Sequence, residues 1–142
     1  MFKYLRTLNT EFHPTVVEFY VSEMIEGFMD HIERGNIVSL SEGKISGYYI
    51  DGQPLYLTLE SKNDDETKTI KCMRLTPNMV LECDLGPEAS ASNIYVGSLL
   101  DVAVDVDSKA VGVELAENAG AARFEALDTS ELSDGKLTVV II

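Results

Sequence analysis

The stretch KISGYYIDGQPLYLTL, residues 44–59, decides the fold class. Its two apolar runs, Lys44 to Ile50 and Pro54 to Leu59, stand on either side of Asp51-Gly52. Asp and Gly both tolerate the positive φ that a two-residue turn between strands requires, so the stretch predicts a hairpin at 51–52.

The same kind of text continues in both directions. Thr15 to Val21, TVVEFYV, is dense in β-branched and aromatic residues, and Ile37 to Leu40 forms another short strand-like run. Downstream, Lys68 to Leu75 and Met79 to Leu85 flank Pro77-Asn78 and read as a second hairpin, which would bring Cys72 near Cys83. Between the two hairpins, the polar tract SKNDDET at 61–67 reads as an exposed loop tip. Asn93 to Val96, Leu99 to Val106, Ala110 to Leu115, Ala121 to Leu127 and Leu137 to Ile142 supply the remaining strands. The last of these, LTVVII, needs a partner on its backbone, because a bare apolar edge aggregates.

Many short strands punctuated by turns, with no helical crossovers, predict an all-β chain folded as a compact antiparallel β-barrel or sandwich. One change of period interrupts it. Met24, Ile25, Phe28, Met29 and Ile32 recur at helical spacing after Ser22, a suitable N-cap, and predict a short helix at about 22–33. The first fourteen residues, MFKYLRTLNTEFHP, follow no period, and Pro14 closes them. Two readings of this extended N-terminal arm are open: a terminal strand of the same fold, or an extension that docks on a neighbour. The expected organisation is therefore an arm at 1–14 and a single β-rich domain at 15–142.

The chain has 142 residues, 45% of them apolar and 25% charged, enough for one domain that hides about 70% of its unfolded surface. Against 24 Asp and Glu stand 11 Lys and Arg, a formal net charge of −13. Nucleic-acid binding relies on Lys and Arg displacing counterions from phosphates, and an acidic surface repels both DNA and anionic membrane. Neither partner is expected. No apolar run is long enough to span a bilayer and no secretion signal is recognisable. The two cysteines, Cys72 and Cys83, match no zinc or redox spacing and read as reduced core thiols, a cross-strand disulfide being the lesser alternative.

Motifs for catalysis are missing: His13 and His31 have no activated Ser or Cys nearby in sequence, and no phosphate loop or dinucleotide fingerprint occurs. The chain reads as a non-enzyme with no cofactor. The candidate metal ligands are Asp101, Asp105 and Asp107 in DVAVDVD, where strand alternation would put three carboxylates on one face and Val102, Val104 and Val106 on the core side. An acidic outer row is also how any half-exposed strand is written, and this is the favoured reading. A calcium- or glycan-binding sandwich module, using that row and the tyrosines Tyr48 and Tyr49, is the alternative function.

The order of several phrases carries a resemblance. ERGNIVSL at 33–40, SNIYVGSLLDVAVD at 92–105, a turn at Gly112, GAARFEALDTS at 120–130 and GKLTVVII at 135–142 are laid out in a way that resembles small head-decoration or capsid-cement proteins of tailed bacteriophages. Gly97-Ser98 departs from the acidic residue expected after that glycine, and 23–32 has no counterpart. The resemblance implies a structural protein of the virion, made in the host cytoplasm and carried on the capsid surface. It also implies two partners: the major capsid protein, and further copies of this chain in an oligomer, with a trimer as the expected number. The arm would make the contact through Phe2, Lys3, Tyr4, Leu5, Arg6 and Phe12. Apolar anchors would supply the affinity, and Lys3 and Arg6 would orient the arm on an acidic partner.

Overall fold

The computed structural model describes residues 1–8, 14–21, 31–63 and 69–142. The expected all-β class is observed, with antiparallel sheets and, among the described residues, no helix of seven residues or more. The chain divides into two compact units: one of Met1–Phe12, Thr76–Asp105 and Val111–Ile142, the other of His13–Leu75 and Val106–Ala110.

The second unit holds β2 (Val16–Tyr20), β3 (His31–Ile32), β4 (Ile37–Val38), β5 (Leu40–Ser41), β6 (Lys44–Ile45), β7 (Tyr56–Thr58), β8 (Lys62–Asn63) and β9 (Thr69–Arg74). A four-stranded sheet runs β2-β9-β7-β4, and β3 with β8 and β5 with β6 form two small ladders. The hairpin expected at 51–52 is not formed. Asp51-Gly52 does reverse the chain, Gly52 having φ 78°, but both sides of β7 are taken, by β4 and β9. The tight hairpin lies instead at Glu42-Gly43, where both residues have positive φ and β5 meets β6. Residues 46–50 are held by Ser39: its N–H donates to the Tyr48 carbonyl at 2.8 Å and its hydroxyl oxygen accepts from the Ile50 N–H at 2.8 Å. Ser39 and Ser46 are buried, so their hydroxyls replace ladder bonds that this irregular segment lacks. Val21, Ile32, Val38, Ile45, Tyr56, Ile70 and Cys72 make the core of the unit, with Phe19 set edge-on against Tyr56.

Of the helix expected at 22–33, residues 22–30 lie outside the described residues. Its last turn is a strand: His31–Ile32 pairs with Lys62–Asn63, and Ile32 is buried. The loop tip expected at 61–67 therefore begins with β8, and 64–68 lie outside the described residues.

The first unit is a six-stranded sheet built from β1 (Phe2–Thr7), β10 (Met79–Asp84), β11 (Leu99–Val104), β12 (Ala110–Leu115), β13 (Phe124–Asp128) and β14 (Lys136–Ile141), in the order β1-β10-β14-β13-β11-β12. β14 is central, so LTVVII is paired on both sides. Alternation sends Leu81, Cys83, Leu137, Val139, Ile141, Phe124, Ala126 and Leu100 to the interior, all of them buried. The sheet also curls back on itself. Leu85, just past β10, bridges Val113 of β12, and the Gly86 N–H donates to the Val113 carbonyl at 2.8 Å. Gly86 and Gly112 mark this closure, and Gly112 lies inside β12 rather than in the turn expected there.

β9 and β10 do not form the second expected hairpin. Pro77-Asn78 does turn the chain, with Asn78 at φ 71°, but β9 pairs with β2 and β7, and β10 with β1 and β14. Cys72 is thus in one unit and Cys83 in the other, both as buried free thiols.

Candidate docking surfaces

The segment expected to be an arm is, over Phe2–Thr7, the edge strand β1. Phe2 pairs opposite Cys83, is 2% exposed and stacks on Phe124 with ring centroids 6.4 Å apart. That burial removes it from the docking set. Tyr4 is half-buried and its hydroxyl is hydrogen-bonded to Thr7 Oγ1 at 2.8 Å. Phe12 lies outside the described residues. What remains exposed on β1 is Lys3, Leu5 and Arg6. A bulge between Tyr4 and Arg6 sets Leu5 out of register, with Val80 facing Arg6. A lysine, an arginine and a bulge are the devices that keep an edge from adding a further strand. The start of β1 is pinned by Asp84, which takes the Met1 amino group and, at 3.1 Å, the Lys136 ammonium. Burial would raise the Asp84 carboxyl, but these two hydrogen bonds outweigh it and hold the group below the ordinary aspartate range.

A second surface is a tight turn before β11, in place of the strand expected at Asn93 to Val96. A 3-10 turn at Ala91–Asn93 leads to buried Ile94, and the Ser98 N–H then donates to the Tyr95 carbonyl at 2.9 Å, closing Tyr95 to Ser98. Gly97, at φ 90°, occupies the position where such a turn needs glycine. Its N–H donates to the Ala126 carbonyl at 2.8 Å, and Ser98 O accepts from the Ala126 N–H at 2.9 Å, so the turn is fastened to β13. Tyr95 and Val96 project from it 68% and 67% exposed. The signal in the sequence was the Gly two residues after Tyr95, which marks a turn and not a strand.

In the other unit β2 is an edge strand whose outward side carries Val16, Glu18 and Tyr20, all exposed. The Thr69 hydroxyl donates to Glu18 Oε1 at 2.7 Å, fixing the middle of the row. Sequence reasoning placed this strand and assigned it no role.

The acidic row does not form as expected. β11 ends at Val104, which is exposed, and Val106 stands fully in solvent in the following turn, so neither faces a core. Asp105 and Asp107 lie past the end of the strand that carries Asp101, so strand alternation does not line the three up. Asp101 Oδ1 accepts from the Val102 N–H at 2.7 Å. Among the described residues no group of three or more His, Cys, Asp or Glu is placed to hold a metal ion. Tyr49 is buried and Tyr48 packs on the core of its unit, so the tyrosine pair does not offer the stacking surface a glycan needs.

Comparison with known proteins adds no relative. No family model, curated protein or solved structure matches the chain. What bears on function is therefore the surface itself.

Burial pushes the Cys72 and Cys83 thiols up to about 12. The thiolate is the reactive form, and at pH 8 about one thiol in ten thousand would carry it. Neither cysteine should react with a thiol reagent in the native protein, and both should react at once in guanidinium. Because a raised thiol pKa favours the neutral group in the folded state, the contribution of these thiols to stability is complete below about pH 8.5 and declines above it.

Proposed function

We propose that this chain is a structural protein of a virion that decorates the outside of a bacteriophage capsid and stabilises it by protein–protein contact. The observation that carries the reading is the display of large apolar side chains at positions where the backbone is fixed. Val16 and Tyr20 stand on a paired strand, and Tyr95 and Val96 on a turn bonded to β13. Rigid aromatic anchors of this kind lose little conformational entropy on docking and dominate the energetics of protein interfaces. The net charge of −13 keeps many copies soluble at high local concentration, and a surface outside the shell has no packaged DNA to neutralise.

The outward face of β2 is the proposed contact with the major capsid protein, and the docking role expected of the first residues narrows to Lys3, Leu5 and Arg6. The test is co-sedimentation with tailed-bacteriophage capsids assembled from the major capsid protein alone. Saturable binding that a Val16→Asp, Tyr20→Ser variant loses by about tenfold or more supports the reading. Wild-type protein left entirely in the supernatant overturns it.

A further inference from the structure

Asp-Gly occurs twice in the chain, at Asp51-Gly52 and at Asp134-Gly135. The pair has a chemistry of its own. With no side chain on the following residue to obstruct it, the main-chain nitrogen of the glycine can reach Cγ of the aspartate. The new N–Cγ bond closes a succinimide, and the proton of the nitrogen and the hydroxyl of the carboxyl leave as water. Water then adds back. Addition at Cγ restores aspartate, whereas addition at the main-chain carbonyl carbon leaves the backbone running through Cγ with a free α-carboxyl beside it. The product is isoaspartate, equal in mass to the aspartate it replaces.

The fold sorts the two pairs. Both aspartates are exposed, and a Cβ on either glycine would meet nothing within 4 Å, so access does not separate them. Freedom of the reacting nitrogen does. The Gly135 N–H donates to the Leu132 carbonyl at 3.0 Å, and the N–H groups of Asp134 and Lys136 on either side both donate to the Glu131 carbonyl, at 2.9 and 3.2 Å. Backbone held on successive N–H groups must open before the nitrogen can turn on the carboxyl. At the other pair, neither Asp51 nor Gly52 has a partner for its N–H among the described residues. The turn there is closed by the Gln53 N–H on the Ile50 carbonyl at 3.3 Å, a long bond, and β6 and β7 pair with other strands, so no ladder clamps it. The Asp51 carboxylate accepts from the Tyr49 hydroxyl at 3.4 Å, beyond the usual range for such a bond, and is only lightly held.

We propose that Asp51 is a site of spontaneous isoaspartate formation in the native protein, and that the fold protects Asp134 from the same change. The modification alters the chain at a defined place. It adds a methylene to the main chain between residues 46–50, which Ser39 holds, and buried Leu55, and it turns the carboxylate that faces Tyr49 into a main-chain amide. The freed α-carboxyl, which is the group that isoaspartyl methyltransferases esterify, then stands in an exposed turn. This inference is independent of the capsid reading, because the reaction needs no partner other than water.

The experiment keeps the full chain at neutral pH and physiological temperature for weeks, with samples digested at intervals. Isoaspartate in each Asp-Gly peptide is read by enzymatic methyl transfer from S-adenosylmethionine and by chromatographic separation at unchanged mass. In the native protein the peptide with Asp51 should accumulate it about tenfold faster than the peptide with Asp134, or more. In guanidinium, where neither turn survives, the two rates should converge. Asp51→Glu needs a larger ring that closes slowly, so it should leave residue 51 unlabelled and residue 134 unchanged. Asp51→Asn should react faster than wild type, because ammonia leaves more readily than water. Native rates that differ no more than the unfolded ones overturn the proposal. So does a native chain that forms no isoaspartate at Asp51 while the unfolded chain does.

Discussion

Replacing Phe2 by alanine should lower the unfolding free energy by about 3–5 kcal/mol, the cost of a cavity left by a large buried aromatic ring. The effect is unusual for a residue second in its chain, where truncation is commonly tolerated. Here the ring is 2% exposed, opposite Cys83, and stacks on Phe124, which is itself fully buried. In a protein of this size the loss corresponds to about 10 °C in melting temperature. Thermal and urea denaturation measure it directly. A change below about 1 kcal/mol would mean that β1 lies outside the cooperative structure. The same burial alters what a deletion shows: removing residues 1–14 should destabilise the first unit, so lost binding in that variant would not isolate a docking role. Lys3→Glu and Arg6→Glu leave the ring in place and are the cleaner changes.

Gly112→Ala should be as damaging. A Cβ at residue 112 would lie 2.5 Å from the Asp84 carbonyl oxygen and 2.9 Å from the Gly86 nitrogen, both backbone atoms that cannot rotate away. The clash must be relieved by parting β12 from the chain after β10, which breaks the closure of the sheet. Overpacking at a rigid site costs about 1–3 kcal/mol and more where backbone must move, so a loss of about 3 kcal/mol or failure to fold is expected. Gly135→Ala is the control. Gly135 has φ 73° and open space around it, so an alanine meets only the left-handed backbone cost of about 1–2 kcal/mol. Equal melting temperatures for the two variants would show that the Gly112 contact does not hold the sheet.

The class of the fold was legible because alternation and β-branched content mark a strand wherever it lies. Partnership was not, and the two hairpins show why. Asp51-Gly52 and Pro77-Asn78 state that the chain reverses, and it does at both places. Whether the flanking strands then pair depends on which neighbours occupy their edges, and for β7 and β9 those neighbours come from distant parts of the chain. The acidic row failed for a related reason. Alternation assumes that a strand continues, whereas β11 stops at Val104 and turns through Val106 and Asp107. Phe2 among the proposed anchors was misplaced because an apolar residue near a terminus looks the same in sequence whether it fills its own core or a partner's. The Tyr95–Val96 turn was hidden by β-type residues on both sides of Gly97.

β14 lies in the middle of the six-stranded sheet although it comes last in chain order of the six strands that build it. During synthesis β10 and β13 must wait for it with one edge each unfilled, and β1, made first, waits for β10. A nascent chain halted before Lys136 therefore carries Leu81, Cys83, Phe124 and Ala126 without the strand that covers them, which makes it a target for chaperones and for proteases that finished molecules escape.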